Sequence, residues 1–191
     1  YGYIWDTDRI DLIPESDYLV NDDLDRMHRA PMVASFQTRV TPTATRKPFR
    51  FTLLNAHTDP DEVGSRVGDT AENEMNVLDD VFHSVRMYEY QNTGEEDFIL
   101  MGDLNVDTRW LLETGRIPNV TSLVGDKPTN TLQTKTYDHI LIDAATTREF
   151  TGRAGVLDLK AALRISEEQA LKVSDHMPVW AEFGVYEIPP R

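Results

Sequence analysis

The spacing of apolar residues changes several times along this 191-residue chain, and each change predicts a different element. Tyr1, Tyr3 and Trp5 interleave with smaller residues, and an Asp-Thr-Asp turn then leads to Leu12 and Ile13, so the start predicts a pair of strands. Residues 32–40 and 49–55 predict two further strands, joined as a hairpin by the Thr/Pro/Arg stretch 41–48. Behind Asp69 and Glu72, which have the form of a capping box, Met75, Leu78, Phe82 and Val85 recur at helical spacing until Gly94 stops the helix. Phe98-Ile99-Leu100-Met101 is a continuous apolar run, suited to a strand covered on both faces. Residues 137–142 predict another strand, and Ser166 with Gln169 a cap for a short helix through Leu171. Residues 179–185 alternate as a last strand behind Pro178, a residue tolerated at a strand's first position.

The resulting order is strand, strand, strand, helix, strand, strand, helix, strand. It predicts the α/β class, with a mixed sheet in a layered arrangement flanked by helices. No repeat, low-complexity tract or linker interrupts it, so residues 1–191 are expected to belong to a single domain.

Composition then removes function classes. The 40% hydrophobic content suffices for a core, and no window approaches the roughly 18 consecutive apolar residues of a membrane-spanning helix. Tyr1-Gly2-Tyr3-Ile4-Trp5 lacks an initiator Met and the layout of a signal peptide, so the chain is expected to start mid-protein or after processing. The absence of cysteine excludes disulfides and thiolate metal sites but assigns no compartment. A net charge of −14 argues against a broad basic clamp on nucleic acid. It does not exclude a nuclease, because carboxylates that hold cations carry formal negative charge and the bound ion reverses the local field. The acidic stretches 17–25, 59–74 and 95–97 read as solvated surface.

Three short strings carry candidate chemistry: Leu54-Asn55-Ala56-His57, Gly102-Asp103-Leu104-Asn105 and Ser174-Asp175-His176-Met177-Pro178-Val179. Each places acidic, amide or imidazole groups beside strand-like residues, where side chains can converge on one rim of a sheet. Hydrolysis of a phosphodiester needs an activated water, neutralised charge on the non-bridging oxygens, and a proton or metal for the leaving oxygen. An imidazole oriented by a carboxylate can move the protons. Asp175 and His176 are adjacent on an extended segment and so point to opposite faces; each is expected to reach a neighbouring strand, with His57 as the obvious partner. Asp103 and Asn105 offer oxygen ligands for Mg²⁺ or Ca²⁺, although an Asx-turn explains that pair equally well by itself. His28, His83 and His139 stand apart from other candidate ligands and read as structural.

Met101-Gly102-Asp103-Leu104-Asn105 and the 174–179 string resemble the two signature strings of the endonuclease/exonuclease/phosphatase superfamily, and within it the pancreatic-type deoxyribonucleases. The likeness runs nearly end to end, through the aromatic start at Tyr1, His28-Arg29-Ala30-Pro31, His57, residues 102–105, Tyr137-Asp138, and Gln169-Ala170-Leu171 ahead of Ser174. It implies a layered sandwich of the deoxyribonuclease-like type and metal-dependent endonucleolytic cleavage of DNA with little base readout. The implied roles make His57 and His176 the catalytic imidazoles, with Asp138 orienting one of them. Asp103 and Asn105 serve catalysis and, with Asp175, hold a divalent metal, Mg²⁺ or else Ca²⁺ or Mn²⁺. Arg29 and Tyr1 contact the phosphate backbone.

Within the same superfamily the alternative is a phosphatase or phospholipase acting on an inositol-phosphate or sphingolipid headgroup, and outside it a non-catalytic binding module on the same scaffold. The chain departs from the deoxyribonuclease pattern at Ala30, where Glu is usual, at Leu104, where Phe is usual, and in lacking the cysteines of a loop disulfide. The resemblance further implies an N-terminal half that adds an Asn, a metal-binding Glu and part of the sandwich. The chain is therefore expected to associate with that half or with itself across an open apolar face.

Overall fold

The computed structural model describes residues 1–188. In chain order the elements are β1 (Ile10–Leu12), β2 (Tyr18–Leu19), β3 (Met32–Thr38), β4 (Arg50–His57), α1 (Glu74–Thr93), β5 (Phe98–Asp103), α2 (Leu112–Arg116), β6 (Val120–Ser122), β7 (Asp138–Asp143), β8 (Phe150–Val156), α3 (Leu159–Leu163), α4 (Glu167–Val173) and β9 (Val179–Phe183). The mixed α/β class read from the sequence is the class observed.

The central sheet runs β1-β3-β4-β5-β7-β6, with β2 also paired to β3. β3 and β4 form the expected antiparallel hairpin, from Met32 opposite Asn55 to Gln37 opposite Arg50. β4 and β5 are parallel, and α1 makes the crossover that parallel neighbours require. β5 and β7 are antiparallel. β8 and β9 form a separate two-stranded sheet.

Alternation along the central strands sorts the core into two layers. Leu54, Leu100 and Leu141 pack with Met75, Leu78, Phe82 and Val85 of α1. Ile99, Ile140 and Ile142 face the other way, where Phe150, Val179, Ala181 and Phe183 of the second sheet and Phe51, Leu53 and Met101 cover them. β5 is thus buried on both faces, as its continuous apolar run requires. Full burial of each such Leu, Ile or Phe contributes roughly 1.5–3 kcal/mol. The three layers hold the strand ends in fixed register, and the chemistry sits at those ends.

Several local expectations are corrected. Residues 1–5 are not a strand: the Tyr3 hydroxyl reaches the carbonyls of Met32 and Leu53 at 2.8 and 3.2 Å, and Tyr3 and Trp5 pack edge-on against Phe36. Side chains rather than a backbone ladder fix that segment. Helix α1 is capped by Asn73, whose side chain accepts from the Met75 N–H, while Asp69 instead pairs with Arg116 at 2.7 Å. Gly94 ends α1 with φ +75°, a left-handed conformation suited to glycine. The Ser166–Gln169 capping box is present at the start of α4. The acidic stretches are not uniformly solvated either, since Glu74, Glu95 and Asp97 are buried.

Candidate active site

The rim of the sheet is assembled by register. β4 ends at His57, β5 ends at Asp103 and β7 begins at Asp138; His57 pairs with Asp103 and Asp103 with Asp138 across the three strands. Neighbouring strands lie about 4.8 Å apart, so three functional groups meet without any contribution from a flexible loop. Gly102, with φ +145°, lets β5 lie close against Ala56 immediately before the site.

His176 arrives from the turn ahead of β9. The Thr131 N–H donates to the Asp175 carbonyl at 2.8 Å and the Met177 N–H to the Thr129 carbonyl at 2.7 Å, clamping that turn against residues 129–131. The His176 Nδ1 lies 2.8 Å from Asp138 Oδ2, and the same oxygen accepts from the Thr129 hydroxyl at 2.6 Å. Thr129 Oγ1 in turn accepts from the Asp138 N–H at 3.1 Å. The geometry fits a His176 whose Nδ1–H donates to Asp138, which leaves Nε2 facing the rim. That Nε2 stands 3.7 Å from Asp103 Oδ2, and the His57 Nε2 stands 3.6 Å from the same oxygen. Asp103 therefore lies between two imidazoles.

Burial and charge tune these groups. Burial raises the Asp103 pKa, as does the neighbouring Asp138 charge, against weaker opposing pulls from His176, the Asn105 N–H and His57. For His176, burial lowers the pKa, but the hydrogen bond to Asp138 and the charges of Asp138, Asp103 and Asp175 outweigh it, so the net direction is upward. A protonated His176 is correspondingly favoured.

The remaining candidates fall around this group. Asn105 holds a positive φ of 52°, donates its backbone N–H to Asp103 Oδ1 at 3.1 Å and its side-chain amide to the Thr58 carbonyl at 2.8 Å. The Asx-turn and a fixed amide oxygen thus coexist. The Tyr1 hydroxyl accepts the His57 N–H at 3.0 Å, and the Arg29 charge acts on that hydroxyl. Arg29 is exposed. Asp175 is exposed and lies outside the compact set Asp103, Asp138 and His176, whose ligand atoms all fall within 4.8 Å of one another. The opposite-face rule explains the separation: the chain turns His176 inward and Asp175 outward.

His139 is fully buried between Ser122 Oγ at 3.0 Å and the Val106 carbonyl at 2.8 Å, and burial lowers its pKa. It is structural, as its isolation in the sequence suggests. Sequence reasoning missed Thr129, the residue that holds Asp138, since nothing in Pro128-Thr129-Asn130 marks it. It also missed Glu74, whose buried carboxylate accepts the backbone N–H groups of His28 and Asp59 and ties the loop after His57 to the start of α1.

As a donor set, Asp103, Asp138 and His176 suit a divalent cation that prefers oxygen and tolerates one nitrogen. The same atoms suit a proton-transfer dyad, and the two uses compete for Asp138.

Comparison with known proteins adds relatives. No protein-family model matches the chain. It is 31% identical over 179 residues to Deoxyribonuclease-1-like 1 of Homo sapiens, covering 87% of this chain and 53% of the relative. It is 30% identical over 178 residues to Deoxyribonuclease gamma of Rattus norvegicus, covering 85% and 52%. The chain thus spans about half the length of the curated relatives it matches. Among solved structures, an endonuclease/exonuclease/phosphatase family protein from Bacteroides thetaiotaomicron superposes with a TM-score of 0.51 at 17% identity, covering 92% of this chain and 64% of that one. That likeness bears on the fold.

Proposed function

Because the chain belongs to the deoxyribonuclease I-like endonuclease/exonuclease/phosphatase superfamily, we propose that its rim site hydrolyses phosphodiester bonds with the help of a divalent metal, and that the substrate is DNA. The observation that carries this reading is the placement of His57 Nε2 and His176 Nε2 at 3.6 and 3.7 Å from one Asp103 oxygen, with His176 held from behind by Asp138. The second, two-stranded sheet packs against one face of the central sheet and α1 against the other, which supports treating residues 1–191 as part of a single domain of that superfamily.

The two imidazoles supply proton transfer on either side of a phosphate. His176, favoured in its protonated form by Asp138 and Asp103, is suited to donate a proton to the leaving oxygen. His57, more exposed at 40% of its side chain, is placed to take a proton from the attacking water. Thr129 and Asp138 fix the tautomer and direction of His176. Asp103 and Asn105 are the residues we assign to the metal, Asp175 being exposed and turned away from that group, and Mg²⁺ is the ion of choice for so few protein ligands. Bound there, the ion would neutralise charge on the non-bridging oxygens. Tyr1, bonded to the His57 N–H, and Arg29, whose charge reaches the Tyr1 hydroxyl, would provide donors for the backbone phosphate next to the scissile one. None of these groups is arranged to read base edges, so cleavage is expected to be indifferent to sequence.

The test compares supercoiled plasmid, bis(p-nitrophenyl) phosphate, an inositol phosphate and sphingomyelin as substrates, each with Mg²⁺ and with EDTA. Mg²⁺-dependent nicking of plasmid, with little turnover of the others, supports the reading. Preferential turnover of the inositol phosphate or sphingomyelin would replace the DNA assignment, and equal rates in EDTA would remove the metal.

A further inference from the structure

At the far end of β5 from Asp103, a second group of carboxylates comes together. Asp97 immediately precedes β5, Glu149 precedes β8, and Glu187 follows β9; one oxygen of each lies within 4.8 Å of the other two. Six residues of extended chain, about 20 Å, separate Asp97 from Asp103, so the two groups are distinct.

The cluster is buried in a way that a solvated acidic patch is not. Asp97 and Glu149 are 7% and 2% exposed. Asp97 Oδ1 and Glu149 Oε2 are buried without a hydrogen-bond partner among the described residues. Thr147 Oγ1, also buried without a well-formed bond, is near enough to oppose slightly the rise in the Asp97 pKa. Two other oxygens are committed: Glu149 Oε1 accepts the Ile188 N–H, and Glu187 Oε1 accepts the Arg50 N–H at 2.8 Å. Arg50 itself leans on a fourth acid, Glu95, at 3.2 Å.

Burying a carboxylate oxygen that neither accepts a hydrogen bond nor meets a cation is costly, and placing two such groups beside a third carboxylate compounds the cost through mutual repulsion. Burial, with the charges of Glu149, Glu95 and Glu187, pushes the Asp97 pKa up to about 8. A proton can relieve part of that, and so can a cation. The donor set is all carboxylate with a hydroxyl beside it and holds no imidazole or thiolate, the chemistry of a hard divalent ion. A cavity of about 820 Å³, walled by Asp97, Glu187, Arg50, Lys47 and Arg148, adjoins the cluster and supplies an approach from solvent.

We propose that Asp97, Glu149 and Glu187 form a second site for a hard divalent cation, Ca²⁺ by preference, which fastens the segment after β9 to the entry of β5 and the start of β8. Its role is structural. The three ligands come from positions spread over ninety residues of sequence, so one ion would tie both sheets together.

The experiment is a thermal melt of the purified protein across a Ca²⁺ titration, with Mg²⁺ in parallel. At a concentration about 100 times Kd, Tm should rise by roughly 5–10 °C. Asp103→Asn, which touches only the rim site, should keep that rise. Asp97→Asn and Glu149→Gln should abolish it, while their Tm in EDTA equals or exceeds that of the parent, because each removes a buried carboxylate that must either repel its neighbours or be held protonated. If either fails to fold, the half-buried Glu187→Gln provides the same readout. The proposal is overturned if the parent shows no rise at millimolar Ca²⁺, if the rise survives in all three carboxylate variants, or if Asp103→Asn alone abolishes it. The first result would mean that a proton or a neighbouring cation such as Arg148 neutralises the cluster instead.

Discussion

Replacing Gly102 by Ala should damage both the sheet and the site, and the structure sets the size of the effect. Gly102 has φ +145°, outside the range that side-chain-bearing residues adopt comfortably, and a Cβ built there would lie 1.8 Å from the Ala56 carbonyl oxygen. Ordinary contact begins at 3.4 Å, so β4 and β5 must part by about 1.6 Å (3.4 − 1.8) at this point. The backbone strain costs about 1–3 kcal/mol, and weakening one or two ladder hydrogen bonds adds about 0.5–1.5 kcal/mol each. A total near 3–5 kcal/mol should lower Tm by roughly 10 °C for a chain of this size. The next pair in register is His57 with Asp103, so the displacement falls directly on the site, and a misplacement of about 1 Å costs on the order of 10²-fold in rate. Gly152→Ala supplies the control: its φ is +85°, but nothing lies within 4 Å of the added carbon, so it should pay strain alone and leave cleavage intact. Calorimetry and plasmid nicking on both variants decide it. A Gly102→Ala protein as stable and as active as Gly152→Ala would refute the close-approach argument.

Two further outcomes follow from the charges around β7. Asp138→Asn should lower the His176 pKa in metal-free protein, as read by NMR titration of the imidazole. Since the folded value lies above the unfolded one, the stabilisation is fully present below about pH 6.5 and lost as pH rises through the folded value, so the substitution should cost more at pH 6 than at pH 8. His139 behaves oppositely: burial holds its pKa below the unfolded value, so its contribution is present above about pH 6.5 and lost on acidification through the folded value. His139→Gln should flatten that part of the stability profile by at most about 1.4 kcal/mol per pH unit, read as the difference between the two proteins so that other titrating groups cancel. An unchanged His176 titration, or parallel stability profiles, would contradict the respective assignment.

The parts legible in the sequence are those where side-chain pattern and backbone structure coincide. Residues 98–101 announce a strand buried on both faces, and the string that follows delivers Asp103 to the rim. Ser166 and Gln169 announce the capping box they form. Failures occur where other interactions decide. Tyr1, Tyr3 and Trp5 alternate like a strand, yet Tyr3 is pinned through its hydroxyl and no ladder forms. β8 contains Gly152, Gly155 and a register shift, with three exposed residues in its middle, so no alternation reveals it. Asp69 reads as the cap of α1, yet its carboxylate pairs with Arg116 and the Asn73 side chain accepts the Met75 N–H instead.

Site residues divide in the same way. His57, Asp103, Asp138 and His176 stand at strand ends or in a short signature, and the sheet register brings them together. Thr129 and the Asp97–Glu149–Glu187 group depend on pairings between distant segments, which no local spacing encodes. Asp175 shows the limit of a motif: the adjacent letters of Ser174-Asp175-His176 point to opposite faces, and only one of them enters the compact group.

The central claim is that His57 and His176 work as one unit about Asp103, and a double-mutant cycle on Mg²⁺-dependent plasmid nicking tests it most directly. His57→Ala and His176→Ala should each lower the rate by at least about 10²-fold with Tm nearly unchanged, and the double variant should lose little more than either single one. Normal nicking by either single variant, or losses that simply multiply in the double variant, would contradict it.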